Sequence, residues 1–274
     1  MSDILIDLSL SSLAVAIKAN LYAFFQYFRH SSVAVVHDSV GAFRWHTPVA
    51  HPWFNGVLST LPPTDQAAEI VHDTVTYFQS QAVAGFIWWL APHLEPAPWS
   101  QHLLPLGFGY DDHTPGMAID LAILPPSTQG ELTIQPVENR PTLAEWTSVF
   151  VRGYGVPEVM TSPILTLVES MGTNLPFRYY LGSLNGKPVA ASTLFLGAGA
   201  AGIYSVATLP EARGQGVGSA MTLTPLYEAR NMGYRVGVLQ SSDMGYRVYE
   251  RLGFQRLCQM DHFYWPGQSS QADG

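Results

Sequence analysis

Apolar and polar positions follow the most regular pattern in the second half of the chain. From Glu131 to Val137 they alternate singly, as on a strand with one buried face. Pro141 to Glu145 then opens a helix, with Thr142 as the expected N-cap and Glu145 completing a capping box. Gly153 and Gly155 are expected to end it. Ile164–Met171 reads as a short helix and Arg178–Leu184 as a strand. Asn185-Gly186 signals a two-residue hairpin, and Pro188–Leu196 returns as its partner. Ile203–Thr208 is a further strand before a glycine-rich turn. Ser219–Met232 has helical length and period, Tyr234–Gln240 reads as a buried strand, Met244–Arg251 as a helix closed by Gly253, and Gln255–Trp265 as a last strand.

The first half is less regular. Helical signals cover Leu8–Phe28, and Val33–Val36 and Gly56–Thr60 read as strands. Pro63–Gln81 reads as a helix capped by Thr64, Val83–Leu90 as a buried strand, Trp99–Leu106 as a short helix and Met117–Leu124 as a strand. Leu106-Gly107-Phe108 matches Leu252-Gly253-Phe254, and each follows a strand and a short helix, which points to an internal duplication. Leu124-Pro125-Pro126-Ser127-Thr128-Gln129-Gly130 reads as the linker between the halves.

Charge sharpens this division. Of 274 residues only 12% are charged, against a usual ~25%. Residues 1–130 hold ten acids and three bases, net −7, and residues 131–274 hold eleven acids and ten bases, net −1. Without a basic surplus, a nucleic-acid partner is not expected. One cysteine, Cys258, excludes an intrachain disulfide and a cysteine-based zinc site and fits a reducing compartment, so the expected location is cytoplasmic. Asp3 and Asp7 stand where a signal peptide would be basic, and Lys18 and Gln26 interrupt an apolar run that would need ~20 residues to span a membrane, so the run reads as a buried helix. The histidines, including His46, His51 and His113 beside Asp111-Asp112, match no metal spacing, and no metal is expected. Asp111 and Asp112 read as solvated turn carboxylates, with attraction of a cationic amine as the sharper alternative. Trp53, Trp88, Trp89 and Trp99 read as core in preference to pocket walls.

The segment Val206-Ala207-Thr208-Leu209-Pro210-Glu211-Ala212-Arg213-Gly214-Gln215-Gly216-Val217-Gly218-Ser219 carries the chemistry. A strand enters a turn with three alternate glycines and a helix starts at once. Glycines allow positive φ and close approach of a ligand. The free amides and dipole at the helix start suit a pyrophosphate. A dinucleotide fingerprint would need a small third residue where Ser219 stands and several strand–helix units afterwards, and a P-loop would need Gly-Lys-Ser/Thr. No Gly-x-Ser-x-Gly elbow is present.

Arg213-Gly214-Gln215-Gly216-Val217-Gly218 resembles the acyl-CoA pyrophosphate loop of the GCN5-related N-acetyltransferases (GNAT family), and Tyr249-Glu250-Arg251-Leu252-Gly253-Phe254 resembles that family's Tyr-x-x-x-Gly-Phe signature. The resemblance implies a transferase of α+β class built from two GNAT-like domains, each a mixed, mainly antiparallel sheet flanked by helices. The expected boundaries are a degenerate copy over 1–124, a linker over 125–130, an acetyl-CoA-binding domain over 131–266 and a flexible tail over 267–274. It implies that Arg213, Gly214, Gln215, Gly216, Val217, Gly218 and Ser219 hold the CoA pyrophosphate, and that Val206, Ala207 and Thr208 line the pantetheine and thioester. Ser242 would stand where members often carry a CoA-contacting Asn. Tyr249 would be the general acid that protonates the departing thiolate.

There are departures. No Glu stands on Ile203–Ala207, where some members keep a base; Tyr204 and Ser205 occupy it. Pro225 interrupts the helix after the loop and is expected to kink or shorten it. The first half has no glycine loop, and Leu103 falls where Tyr249 falls, so that half is expected to have lost CoA and to wall the substrate cleft or support the active domain. The function implied is acetyl transfer from acetyl-CoA to a small-molecule or protein amine, without nucleic-acid or membrane partners. The alternative is an acyl-CoA-binding sensor or scaffold without turnover. Acceptor and oligomeric state are left open by the sequence.

Overall fold

The computed structural model describes residues 4–39, 41–91, 96–126 and 130–267, so Ser127–Gln129 of the expected linker and 268–274 of the expected tail lie outside it. The first half runs α1 (Leu10–Gln26), β1 (Val35–Ser39), β2 (Ala42–His46), β3 (Gly56–Ser59), α2 (Ala67–Ser80), β4 (Phe86–Leu90), α3 (Pro96–Leu103) and β5 (Gly109–Asp120). The second runs β6 (Leu132–Pro136), α4 (Arg140–Tyr154), α5 (Thr161–Met171), β7 (Phe177–Leu184), β8 (Lys187–Gly197), β9 (Ala200–Thr208), α6 (Val217–Asn231), β10 (Val236–Gln240), α7 (Asp243–Leu252) and β11 (Gln255–Trp265).

All the strands join one 11-stranded sheet in the order β1-β2-β3-β4-β11-β5-β10-β9-β8-β7-β6. Only β3/β4 and β9/β10 pair in parallel, so the sheet is mixed and mainly antiparallel as expected. The order β3-α2-β4-α3-β5 repeats as β9-α6-β10-α7-β11. The repeated tripeptide marks equivalent corners. Gly107 and Gly253 both take positive φ, 85° and 99°, and Phe108 and Phe254 are both buried behind them.

The last strand of each half is exchanged. β5 lies between β11 and β10, and β11 lies between β4 and β5. The two meet antiparallel over most of their lengths, from Gly109↔Tyr264 to Ala118↔Gln255. Because the start of each strand pairs with the end of the other, the halves are related by an approximate two-fold axis normal to the sheet. Alternate side chains then feed different cores. Met117 and Ile119 of β5 join the core under α6, whereas Ala118 between them joins Ile17 of α1 on the other face.

Several local expectations need correction. Asn139 caps α4, its side chain accepting the Thr142 N–H at 3.0 Å, because Asn is as good a cap as Thr and Pro141 is tolerated in a first turn. Gly155 ends that helix with φ 70°, whereas Gly153 lies inside it. β2 was missed. Asp111 is a strand residue of β5, not a turn residue: β5 starts at Gly109 because β11 pairs along its polar stretch, with a bulge at Asp111. Trp88 and Trp99 are core, but Trp53 is 46% exposed.

Pro225 neither ends nor shortens α6, which runs through it. Proline supplies no N–H to the carbonyl four residues earlier, Met221. That carbonyl instead receives the hydroxyl of fully buried Ser192 on β8 at 2.9 Å. Replacing Ser192 with Ala is expected to leave the Met221 oxygen buried and unpaired and to cost about 1–3 kcal/mol in denaturant unfolding; an unchanged midpoint would show that the helix does not depend on this bond.

Candidate functional site

The parallel neighbours β9 and β10 stay together only at Gly237↔Ala201 and Val238↔Gly202, then part. Beyond that point β9 continues from Ile203 to Thr208 paired with β8 but not with β10. A β-bulge lies within the separated stretch. Between Ala191↔Ala207 and Thr193↔Tyr204 of the β8/β9 ladder, Ser205 and Val206 together oppose Ser192, and Ser205 takes φ 54°. A bulge bends its strand and leaves one backbone unit outside the ladder, available to a ligand. The first half lacks this opening: β3 and β4 pair at all four positions from Gly56↔Ile87 to Ser59↔Leu90, and Trp88 Nε1 donates across them to Ser59 Oγ at 2.9 Å.

The glycine loop stands at the far end of β9. Gly214 has φ 75° and Gly216, the N-cap of α6, φ 78°, and a methyl group built on either meets nothing within 4 Å. The left-handed backbone favours glycine at both, and the space above each is open to a ligand. No side chain caps α6. Its first helical bond runs from Ala220 N–H to Gly216 C=O, which leaves the amides of Val217, Gly218 and Ser219 directed outward. A hollow of about 180 Å³ adjoins the loop, lined in part by Gln215, Gly216, Val217 and Glu131.

The other expected site residues gather here with differing duties. Arg213 is exposed but does not stand free. Its Nε donates to the Thr208 carbonyl and its Nη2 to that of Gly153, each at 3.1 Å, so it braces the loop against the end of α4. Gln215 donates to the Glu211 carbonyl at 3.2 Å. Val206 packs on the α6 side of the sheet, and buried Ala207 faces α4. Gly153 is required there, because a Cβ would come within 2.9 Å of Ala207. Ser242 caps α7, its Oγ accepting Gly245 N–H at 3.3 Å.

Tyr249 projects from α7 toward α6, with the Thr222 hydroxyl near its phenol. Thr222 in turn donates to Gly218 O at 2.8 Å, so one short chain of contacts joins the phenol to the glycine loop. Gly245 clears room for the ring, since a Cβ there would lie 2.7 Å from it. Burial pushes the Tyr249 phenol up to about 12, partly offset by Thr222, so it stays protonated throughout the neutral range. Tyr154, at the end of α4, is close enough that its own titration is raised by burial and then by Tyr249.

The expected place for a base holds none. Tyr204 donates to Asn20 Oδ1 at 2.7 Å and stacks on Phe24 with centroids 4.2 Å apart, and burial pushes its phenol far up. Asn20, fully buried in α1, also donates to the carbonyls of Gly197 and Ala200. Thr222, Tyr154, Asn20 and the bulge at Ser205 were not found from sequence, since each acquires its role through a contact distant along the chain.

The site thus combines a parallel pair that opens, an uncapped, glycine-led helix and a phenol that stays protonated. Residues 176–256 match the family model described as an acetyltransferase (GNAT) domain. Over 91% of its length it superposes on 96% of a GCN5-related N-acetyltransferase from Kribbella flavida, at TM-score 0.67 and 19% identity. It covers 80% of a second one, from Sphaerobacter thermophilus, over 85% of its own length, at TM-score 0.58 and 17% identity. A tandem GNAT protein of the clavulanic acid biosynthesis pathway is similar over 88% of this chain and 86% of its own, at TM-score 0.57 and 14% identity. These structures share the fold. No curated protein sequence matches significantly. Among the described residues, no group of three or more His, Cys, Asp or Glu could hold a metal, and no helix is long and apolar enough to cross a membrane.

Burial holds His51, His46 and His37 below the ordinary imidazole value of 6.5, with His37 adding to the effect at His46 and Arg44 at His37. Their neutral forms are favoured by folding. That stability is complete above the unfolded value and is lost as pH falls through the lower folded values. The thermal midpoint is expected to drop between about pH 7.5 and 5.5; a flat profile over that interval would contradict it.

Proposed function

We propose that this protein is an acyl-CoA-dependent N-acyltransferase that moves an acetyl group from acetyl-CoA to an amine by direct attack, using a single site in its second half. The observation that carries this reading is the two-pair contact of β9 with β10, which leaves an opening aligned with the Gly214–Ser219 loop.

In this reading the outward amides at the start of α6 bind the pyrophosphate, and Arg213 keeps the loop in shape for it. Backbone N–H groups at the Ser205–Val206 bulge and at Ala207 receive the thioester oxygen and its negative charge as the amine adds. The C–S bond then breaks, and Tyr249 donates its phenolic proton to the departing thiolate. The raised affinity of that phenol for its proton makes it a hydrogen-bond donor to developing charge rather than a strong acid. No carboxylate stands on Ile203–Ala207, so the amine releases its proton to water. The first half binds no CoA and serves as wall and support, consistent with its fully paired β3 and β4.

The second reading, acyl-CoA binding without turnover, draws on the absence of a base and on the use of Ser242 as a cap. Amine-dependent thioester cleavage separates the two.

Calorimetry with acetyl-CoA is expected to give one site per chain, abolished by Gly216→Trp, which strains a left-handed position and fills the space above the loop. No binding at millimolar concentration, two sites, or binding unaltered in the variant would refute the site. Tyr249→Phe is expected to lower kcat about 100-fold or more while leaving acetyl-CoA affinity in place; undiminished turnover would remove the acid role.

A further inference from the structure

Trp53 and Tyr154 are 46% and 39% exposed, although their rings touch edge-to-face at 5.7 Å and 80°; the phenol oxygen of Tyr154 is the buried end of its side chain, and part of the ring is left open. Aromatic rings that pair with each other usually bury more of their area than this; these two leave flat apolar surface facing outward. Their position is fixed from both halves of the chain. Gly153, the residue before Tyr154, lies against Ala207 and receives the Arg213 guanidinium on its carbonyl, so Tyr154 sits at the rim of the β9–β10 opening. Trp53 comes from the short turn Pro52–Phe54 between β2 and β3, which buried Asn55 holds rigid. Its Oδ1 accepts Thr47 N–H at 2.8 Å, and its Nδ2 donates to Val49 O at 2.9 Å and His51 O at 3.1 Å. His51 Nδ1 accepts the Trp53 N–H at 3.3 Å. Behind the exposed pair stand further rings, with Phe54 6.2 Å from Phe150 and Phe150 4.9 Å from Tyr154. The ion pair beside them, Arg152 with Glu211, is satisfied internally at 3.6 Å.

We infer that Trp53 and Tyr154 form the acceptor wall of the site and select an amine whose non-reacting part is a flat apolar group, an arylalkylamine, held with its nitrogen toward the opening. Trp53 is thus a specificity residue supplied by the half of the chain that has no opening of its own. This inference rests on the N-acyltransferase reading. A wall made of rings backed by rings gains from stacking and apolar burial, and a second charge on the acceptor would lose its hydration there.

The test uses the full chain with acetyl-CoA and two probes, 2-phenylethylamine and 1,4-diaminobutane. The phenyl probe is expected to have the higher kcat/KM. Trp53→Ala is expected to raise its KM about tenfold without changing acetyl-CoA affinity in calorimetry, and Trp53→Phe to restore most of the loss. A binding measurement independent of turnover accompanies it: with CoA present, 2-phenylethylamine is expected to quench a fluorescence component that is missing from Trp53→Phe. An unchanged KM in Trp53→Ala, preference for the diamine, or absence of that quenching would overturn the wall. A wild type that binds acetyl-CoA but shows no quenching defeats the wall alone; a wild type that binds no acetyl-CoA defeats the underlying reading, and quenching still decides the wall.

Discussion

The exchange of β5 and β11 is the constraint on which everything else depends. Each strand fills the gap that the other half's sheet would otherwise present, and the pair is zipped from Gly109↔Tyr264 to Ala118↔Gln255. Without β5, β10 would be an unpaired edge; without β11, β4 would be one. An open edge beside a hydrophobic core is an aggregation template, and reciprocal filling removes both at once. It also brings the first half's β2–β3 turn to the rim of the opening in the second half.

The two halves share a topology but differ at one corner. At β9 the parallel contact with β10 ends early, and a single bulge follows, with Ser205 in a backbone region L residues seldom adopt. At the equivalent β3 the ladder stays closed and a tryptophan–serine hydrogen bond crosses it. The strain and lost pairing at β9 are offset by the dense packing of α1, α4 and α5 behind it.

Much of this was legible in the residues. The glycine loop, the Asn185-Gly186 hairpin, the repeated Leu-Gly-Phe corners and the helix bearing Tyr249 all follow from short-range patterns. The capping residue of α4 was misread because Asn139 and Thr142 are both good caps, and only the fold decides between them. The polar start of β5 was misread because strand character there comes from β11, more than a hundred residues away. The clamp formed by Arg213, the approach of Thr222 to Tyr249 and the repair of the Pro225 gap by Ser192 are likewise long-range, and no local period announces them. The low charge count acquires a reason as well: a sheet this wide, covered on both faces, has little polar surface to spend.

The strand exchange has a bearing on synthesis. The first half has a full set of helices and strands by residue 120, yet the slot between β4 and β5 stays empty until residues 255–265 have been made. Such pairing has high contact order and closes slowly. The nascent first half must therefore wait, with its Phe86–Trp89 edge open, through the translation of the entire second half, so the most recently made segment is the one that completes the oldest.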